Sequence, residues 1–254
     1  MMHSYFTPAF LIFSTAILLA AENPVALASP AAAEPAKPGA PAQAPAPEKP
    51  AIKHLGGPRY ALNGISFNEE TRAISLPAKV NMVEGLLEYA LVHESGKVHE
   101  SFLATPVSPY DLNVVLLLLN YTSSTTFFDF TDKSAGAIVV KKPKLEAKAK
   151  VQVTLDWKDP AGQPKTARLE TLLLNLDLKA PAADGPFIYT GSMLTDDGVF
   201  MAKETGSILA LYADAAALFN NPREGNENDD NWVADKTKAP AKGTALTFTL
   251  TPLK

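Results

Sequence analysis

The chain of 254 residues contains no cysteine. Disulfides, thiolate nucleophiles, Cys-ligated zinc and Cys-ligated iron–sulfur clusters are excluded in one step, so stability has to come from core packing. Histidine is nearly as scarce. Of the four, His3 lies in an N-terminal apolar segment and His54 beside a proline-rich stretch, which leaves only His93 and His99 within the folded part. A three-histidine metal site is therefore not expected. Basic charge is lacking too: the formal net charge is −4, so nothing draws the chain to a phosphate backbone and no nucleic-acid partner is expected. There is no P-loop, no G-x-G-x-x-G behind a strand, no G-x-S-x-G elbow and no H-E-x-x-H helix, the signatures of the common enzyme classes.

What is present begins with an address. Ala9 to Ala21 reads AFLIFSTAILLAA, shorter than the roughly 20 residues a membrane-spanning helix requires. Ala26 and Ala28 place small residues where signal peptidase reads them, so cleavage after Ala28 is expected, with a cut near Ala21 as the alternative. The n-region has no Lys or Arg, which keeps an uncleaved anchor as a third reading. A lipoprotein-type anchor would need a cysteine. The expected location is exported, periplasmic or extracellular, with no stable membrane span after cleavage. Residues 29–53, SPAAAEPAKPGAPAQAPAPEKPAIK, offer nothing large to bury. They read as a solvated tether of up to roughly 75 Å if fully polyproline II.

Residues 54–254 are expected to form one domain, with 46% hydrophobic residues over the whole chain supplying its core. The patterns predict an α+β fold: mostly antiparallel sheets of short strands packed around one buried helix at about 108–120, with a short second helix at about 214–219. Ser108 is a natural N-cap and Pro109 suits the first helical position. The following PYDLNVVLLLLN is apolar nearly all round, as a buried helix would be. Strands are expected at 72–80, 86–93 and 98–104 in a meander, then at 151–157, 165–174, 187–190, 199–202, 207–212 and 244–251. In the last, Leu246, Phe248 and Leu250 oppose Thr247, Thr249 and Thr251. Residues 121–150 read as an irregular excursion carrying a Ser/Thr run, Phe127, Phe128, Phe130 and the lysine segment Lys141 to Lys150.

Three sets of residues are candidates for chemistry. His99, Glu100 and Glu88 combine an imidazole with two carboxyls, the groups that acid–base or metal chemistry needs. Two hairpin registers are open for them. A three-residue loop with Gly96 left-handed puts His99 among Leu87, Tyr89 and Leu91; a two-residue loop puts it with Glu88 and Ser101. The first is preferred, which makes His99 a buried residue whose loss costs stability. Trp157, Trp232 and Ser101 are candidates for ligand binding, the tryptophans as platforms for an oligosaccharide or, with the lysine segment, a polyanion. Asn226, Asn228 and Asp230 alternate oxygen donors as a calcium loop does, but Asn231 replaces the required glycine and Thr237 the bidentate glutamate. No cofactor is expected.

The stretches TRAISLPAKVNMVEGLLEYALVHESGKVHESFLATPVSPYDLNVVLLLLN, YTGSMLTDDGVFMAKETGSILALYADAAALFNNP and NWVADKTKAPAKGTALTFTLTPL resemble the YdjY domain, over roughly residues 60–254, with GKVHES the most specific part. The resemblance implies an exported bacterial protein of a single domain and implies no particular activity. A histidine often follows the Pro-x-x-Leu that opens the helix in that family, whereas Asn113 stands here. If a second histidine belongs to a family site, this member lacks it. The expected role is a non-catalytic binding or structural module of the cell envelope, with an envelope protein or polysaccharide as partner. The alternative is a hydrolase or metal-dependent enzyme centred on His99, Glu100 and Glu88; the third is an oligosaccharide- or polyanion-binding module.

Overall fold

A computed structural model describes residues 51–131, 136–140 and 143–253. The expected leader, the tether up to residue 50, and Lys141 and Lys142 lie outside the described residues. The chain runs through β1 (Lys53–Gly56), β2 (Arg59–Leu62), β3 (Ile65–Asn68), β4 (Ile74–Val80), β5 (Tyr89–His93), β6 (Ser101–Thr105) and α1 (Pro109–Leu118). It continues through β7 (Phe128–Asp129), β8 (Ile138–Val139), β9 (Lys150–Lys158), β10 (Pro164–Arg168), β11 (Leu173–Asn175), β12 (Ala180–Pro181) and β13 (Phe187–Tyr189). After α2 (Met201–Thr205) come β14 (Ser207–Ala210), β15 (Phe219–Asn220), β16 (Trp232–Ala234) and β17 (Ala245–Pro252).

The expected α+β layering is overturned. Eight strands close into a barrel in the order β4-β17-β9-β13-β15-β14-β5-β6, with β6 returning to β4 through Lys79 opposite Ala104 and Val80 opposite Leu103. Strands β1 to β3 extend outward from β4, and β10 pairs with β9. An eight-stranded barrel is just wide enough for its own side chains to fill it. Alternation supplies them: Ile74, Leu76, Ala78 and Val80 from β4, Val151, Val153 and Leu155 from β9, and Leu246, Phe248 and Leu250 from β17 are all buried in one core. The last strand therefore has the two faces its sequence implies.

The helix at 109–118 forms where expected, with Tyr110 N–H donating to the Ser108 hydroxyl at 3.2 Å. It is not enclosed by the sheet. Leu112, Val115 and Leu116 are buried, whereas Tyr110, Leu117 and Leu118 are exposed. Its C-terminal carbonyls at Leu119 and Asn120 accept from the Arg72 guanidinium at 2.8 and 2.9 Å, a cation placed against the negative end of the helix dipole. The expected helix at 214–219 does not form. Asp214 instead closes a turn, its Oδ1 accepting from Ala216 N–H at 2.8 Å, and Phe219–Asn220 becomes a barrel strand parallel to β14. Asp side chains compete for backbone donors in this way, which is why they favour turns over helix interiors. The second helix lies at 201–205, overlapping the strand expected at 199–202.

The meander at 86–104 is also corrected. β5 and β6 are parallel neighbours, with Tyr89 opposite Ser101 and His93 opposite Thr105. Parallel strands usually need a crossover of a dozen or more residues; here residues 94–100 suffice. Gly96 N–H turns back to His93 O at 2.8 Å, Val98 N–H reaches Gly96 O at 2.9 Å, and a 3₁₀ turn at Val98–Glu100 delivers the chain into β6. Val98 packs over Tyr89, Val92, Ala210 and Ala217, a small apolar cluster separate from the main core.

Candidate functional site

The parallel pairing decides where the first candidate set lies. Glu88 precedes β5 and Glu100 precedes β6, so with Tyr89 opposite Ser101 the two glutamates stand side by side, and Glu88 N–H donates to Glu100 O at 2.9 Å. Burial and then the charge of Glu100 push the Glu88 carboxyl above the ordinary glutamate range, with Lys97 pulling the other way and Asp229 adding to the rise. Lys97 Nζ is 3.6 Å from Glu100 Oε1, and His99 Nε2 is 3.4 Å from Glu100 Oε2. Lys97 Nζ also donates to the Tyr89 hydroxyl at 2.8 Å, and that hydroxyl donates to Asp214 Oδ2 at 2.8 Å. Burial, reinforced by Asp214, holds the Tyr89 phenol well above its usual value.

The structure thus brings together all three residues that the sequence singled out, and adds Lys97, Tyr89 and Asp214. No sequence signal marked Tyr89 or Asp214, because one is a strand residue of alternating type and the other lies in a segment read as helix. Chemically, the cluster sets two carboxyls beside an ammonium and an imidazole, the groups that acid–base chemistry uses. His99 is the loose member: neither expected register occurs, because the strands are parallel, and its side chain is 78% exposed. Among the described residues, no three His, Asp or Glu groups are placed to hold a metal ion.

Apart from this cluster, a concavity of about 380 Å³ lies between the β7–β8 hairpin and residues 222–227. Phe127, Val139, Val140, Pro143 and Pro222 make its apolar walls, with Glu224, Asn226 and Glu227 along the polar side. Arg223 lines it too, but its guanidinium is committed. It donates to Ala183 O at 2.6 Å, Gly185 O at 2.7 Å and Asn221 Oδ1 at 3.0 Å, and lies 4.6 Å from the centre of the Phe187 ring. Burial lowers it to about 10 against the pull of Glu170. The segment leading into the hairpin is tied down by Glu146, whose carboxylate accepts from the Ser124 hydroxyl at 2.5 Å and from Thr125 N–H at 2.9 Å. The Ser/Thr run of the expected irregular excursion is this cradle. Of the three phenylalanines, Phe127 is buried against Ala149 and Ile188, while Phe130 is exposed.

The remaining candidates separate. Trp232 is buried in the core on β16, and Ser101 is buried with its hydroxyl donating to Lys97 O at 2.6 Å. Trp157, on β9, packs partly buried against the core. Of the two indoles, only that of Trp157 keeps some exposure. In the acidic loop, the Asn226 side chain turns inward and donates to Asn221 O at 2.6 Å, while the Asn228 amide oxygen accepts from Asp230 N–H at 3.1 Å. No protein-family model, no curated protein and no solved structure matches the chain.

Proposed function

We propose that the protein is an exported, non-catalytic binding module of the cell envelope, and that the cleft between the β7–β8 hairpin and residues 222–227 receives a short apolar segment of a partner protein. The observation that carries this reading is the cleft's lining, in which the apolar side chains of Phe127, Val139, Val140, Pro143 and Pro222 stand beside a few polar ones, Arg223, Glu224, Asn226 and Glu227, the composition typical of ligand sites. Valine and proline walls suit aliphatic side chains. Export rests on the N-terminal segment and on the resemblance of residues 60–254 to the YdjY domain.

The test is titration of the purified chain with an array of short envelope-derived peptides, followed by thermal shift and by change in the signals of Val139 and Val140. A Val139→Asp variant is expected to weaken the best peptide by about tenfold, equivalent to about 1.4 kcal/mol. Peptide binding that Val139→Asp leaves untouched would remove the cleft from the proposal.

The enzyme reading keeps one supporting observation, the convergence of Glu88, Glu100 and His99 beside Lys97. Hydrolysis of ester, glycoside or peptide probes that Glu88→Gln and Glu100→Gln both abolish would put that reading first.

A further inference from the structure

The cleft beside the β7–β8 hairpin draws its polar side chains from residues 222–227 alone, and the charge left over among them has one sign. Arg223 is spent, its guanidinium donating to Ala183 O, Gly185 O and Asn221 Oδ1. Glu224 and Glu227 are exposed, and among the described residues no lysine, arginine or histidine lies within ion-pair distance of either. Asn226, between them, is only 7% exposed. Its Nδ2 donates to Asn221 O at 2.6 Å and its carbonyl accepts from Ala213 N–H at 2.7 Å, while no hydrogen bond among the described residues reaches its Oδ1. That atom is not sealed in the interior, as the orphan Glu170 Oε2 is, so it is open where its residue lines the cleft. Resting on the reading that this cleft receives a partner's apolar segment, we propose that it selects a segment carrying a basic side chain beside its aliphatic residue. The cation lies against Glu224 and Glu227, and an N–H of the segment donates to Asn226 Oδ1.

The backbone that carries the two acids is fixed before anything binds. Glu224 O accepts from Asn175 Nδ2 at 3.0 Å and Gly225 O from Asn231 Nδ2 at 3.1 Å, and both asparagines are buried. With the bond from Ala213, three successive carbonyls are tied to the body of the protein. A wall ordered in advance lowers the ordering cost of binding. The hairpin's Phe127, Val139 and Val140 suit the methylene stem of a lysine or arginine, which lies along apolar surface while its head stays at a polar edge. An acidic ligand would meet two carboxylates and no free cation in this lining. A metal ion is disfavoured as well, because among the described residues no three His, Asp or Glu groups are placed to hold one.

Fluorescence anisotropy on the whole chain tests this with three dye-labelled peptides, Ala-Val-Pro-X-Val-Ala, in which X is lysine, norleucine or glutamate. The lysine peptide is expected to bind about fivefold more tightly than the norleucine peptide, the scale of two partly exposed ion pairs, and the glutamate peptide most weakly. Salt at about 0.5 M is expected to erase that order. The double variant Glu224→Gln with Glu227→Gln, whose substitutions fall on exposed side chains, is expected to bring the lysine peptide down to the norleucine value and to leave the latter unchanged. In NMR at saturation the Asn226 side-chain amide is expected to shift. Equal affinity for the lysine and norleucine peptides, with both lost in Val139→Asp, keeps the cleft as the binding site and overturns the selectivity. A lysine preference that survives the double variant, or an Asn226 amide that does not move, overturns it too. Binding that Val139→Asp leaves untouched, or no binding of any peptide, sinks the cleft reading and this inference with it.

Discussion

Single residues divide by what they touch, and their predicted weights follow. His99, expected from its neighbours in sequence to be buried, is 78% exposed with one distant contact to Glu100. His99→Ala should therefore move the melting temperature by a degree or so at most, as for an ordinary surface substitution; a drop of several degrees would restore a structural role. Glu146 is the opposite case. Partial burial disfavours its charge, yet the Ser124 hydroxyl and the Thr125 N–H and hydroxyl outweigh this and hold the carboxyl at about 2, against an ordinary 4.5. Its contribution to stability is complete above the ordinary value and drains away as pH falls toward about 2. Glu146→Gln is expected to melt lower than wild type by a few degrees at neutral pH, and the gap should close across that acid window in thermal scans. A gap independent of pH would show that the cradle does not act through charge.

At the scale of elements, the short crossover is the feature on which most else depends. Its turn passes directly over the C-terminus of α2, where a Cβ on Gly96 would stand 2.8 Å from Thr205 O and 3.0 Å from Gly206 Cα. Gly206 ends α2 in the left-handed conformation at φ 74°, which glycine adopts without penalty. The two glycines thus let two backbones touch, and this close approach lets residues 94–100 return along the barrel. Gly96→Ala is expected to cost about 1–3 kcal/mol and to lower protection at Val98 before it affects β17, as hydrogen exchange can follow. Equal loss at both would mean that the crossover is an integral part of the barrel's cooperative unit. The α1 helix gives the complementary lesson. Being apolar on every side did not bury it, because only the Leu112, Val115 and Leu116 side meets the barrel.

At the scale of the whole molecule, β17 lies between β4 and β9, pairing with one from Ala245 to Leu250 and with the other from Leu246 to Pro252. A chain ending at Thr244 leaves both neighbours without a partner and the barrel open, so it is expected to show no cooperative thermal transition by circular dichroism; a truncated chain that still melts sharply would show the barrel to be dispensable. The alternation at 74–80, 151–157 and 245–251, the cap at Ser108 and the turn chemistry of Asp159-Pro160-Ala161-Gly162 were all legible, because each is a property of neighbouring residues. Closure of the barrel, the parallel pairing of β5 with β6, the exposure of His99 and the cleft at Phe127 were not. Alternation states which face of a strand is apolar but not which strand it pairs with, and turn residues state that the chain bends but not whether it comes back antiparallel. Those choices were made by burial: the 94–100 segment covers Tyr89 and Val92, and β17 closes on β4 across more than half the chain. Local sequence by itself determined the strands, the helix and the reactive groups; only the tertiary structure decided their partners, because the free energy that selects a pairing comes from apolar surface brought together from distant parts of the chain.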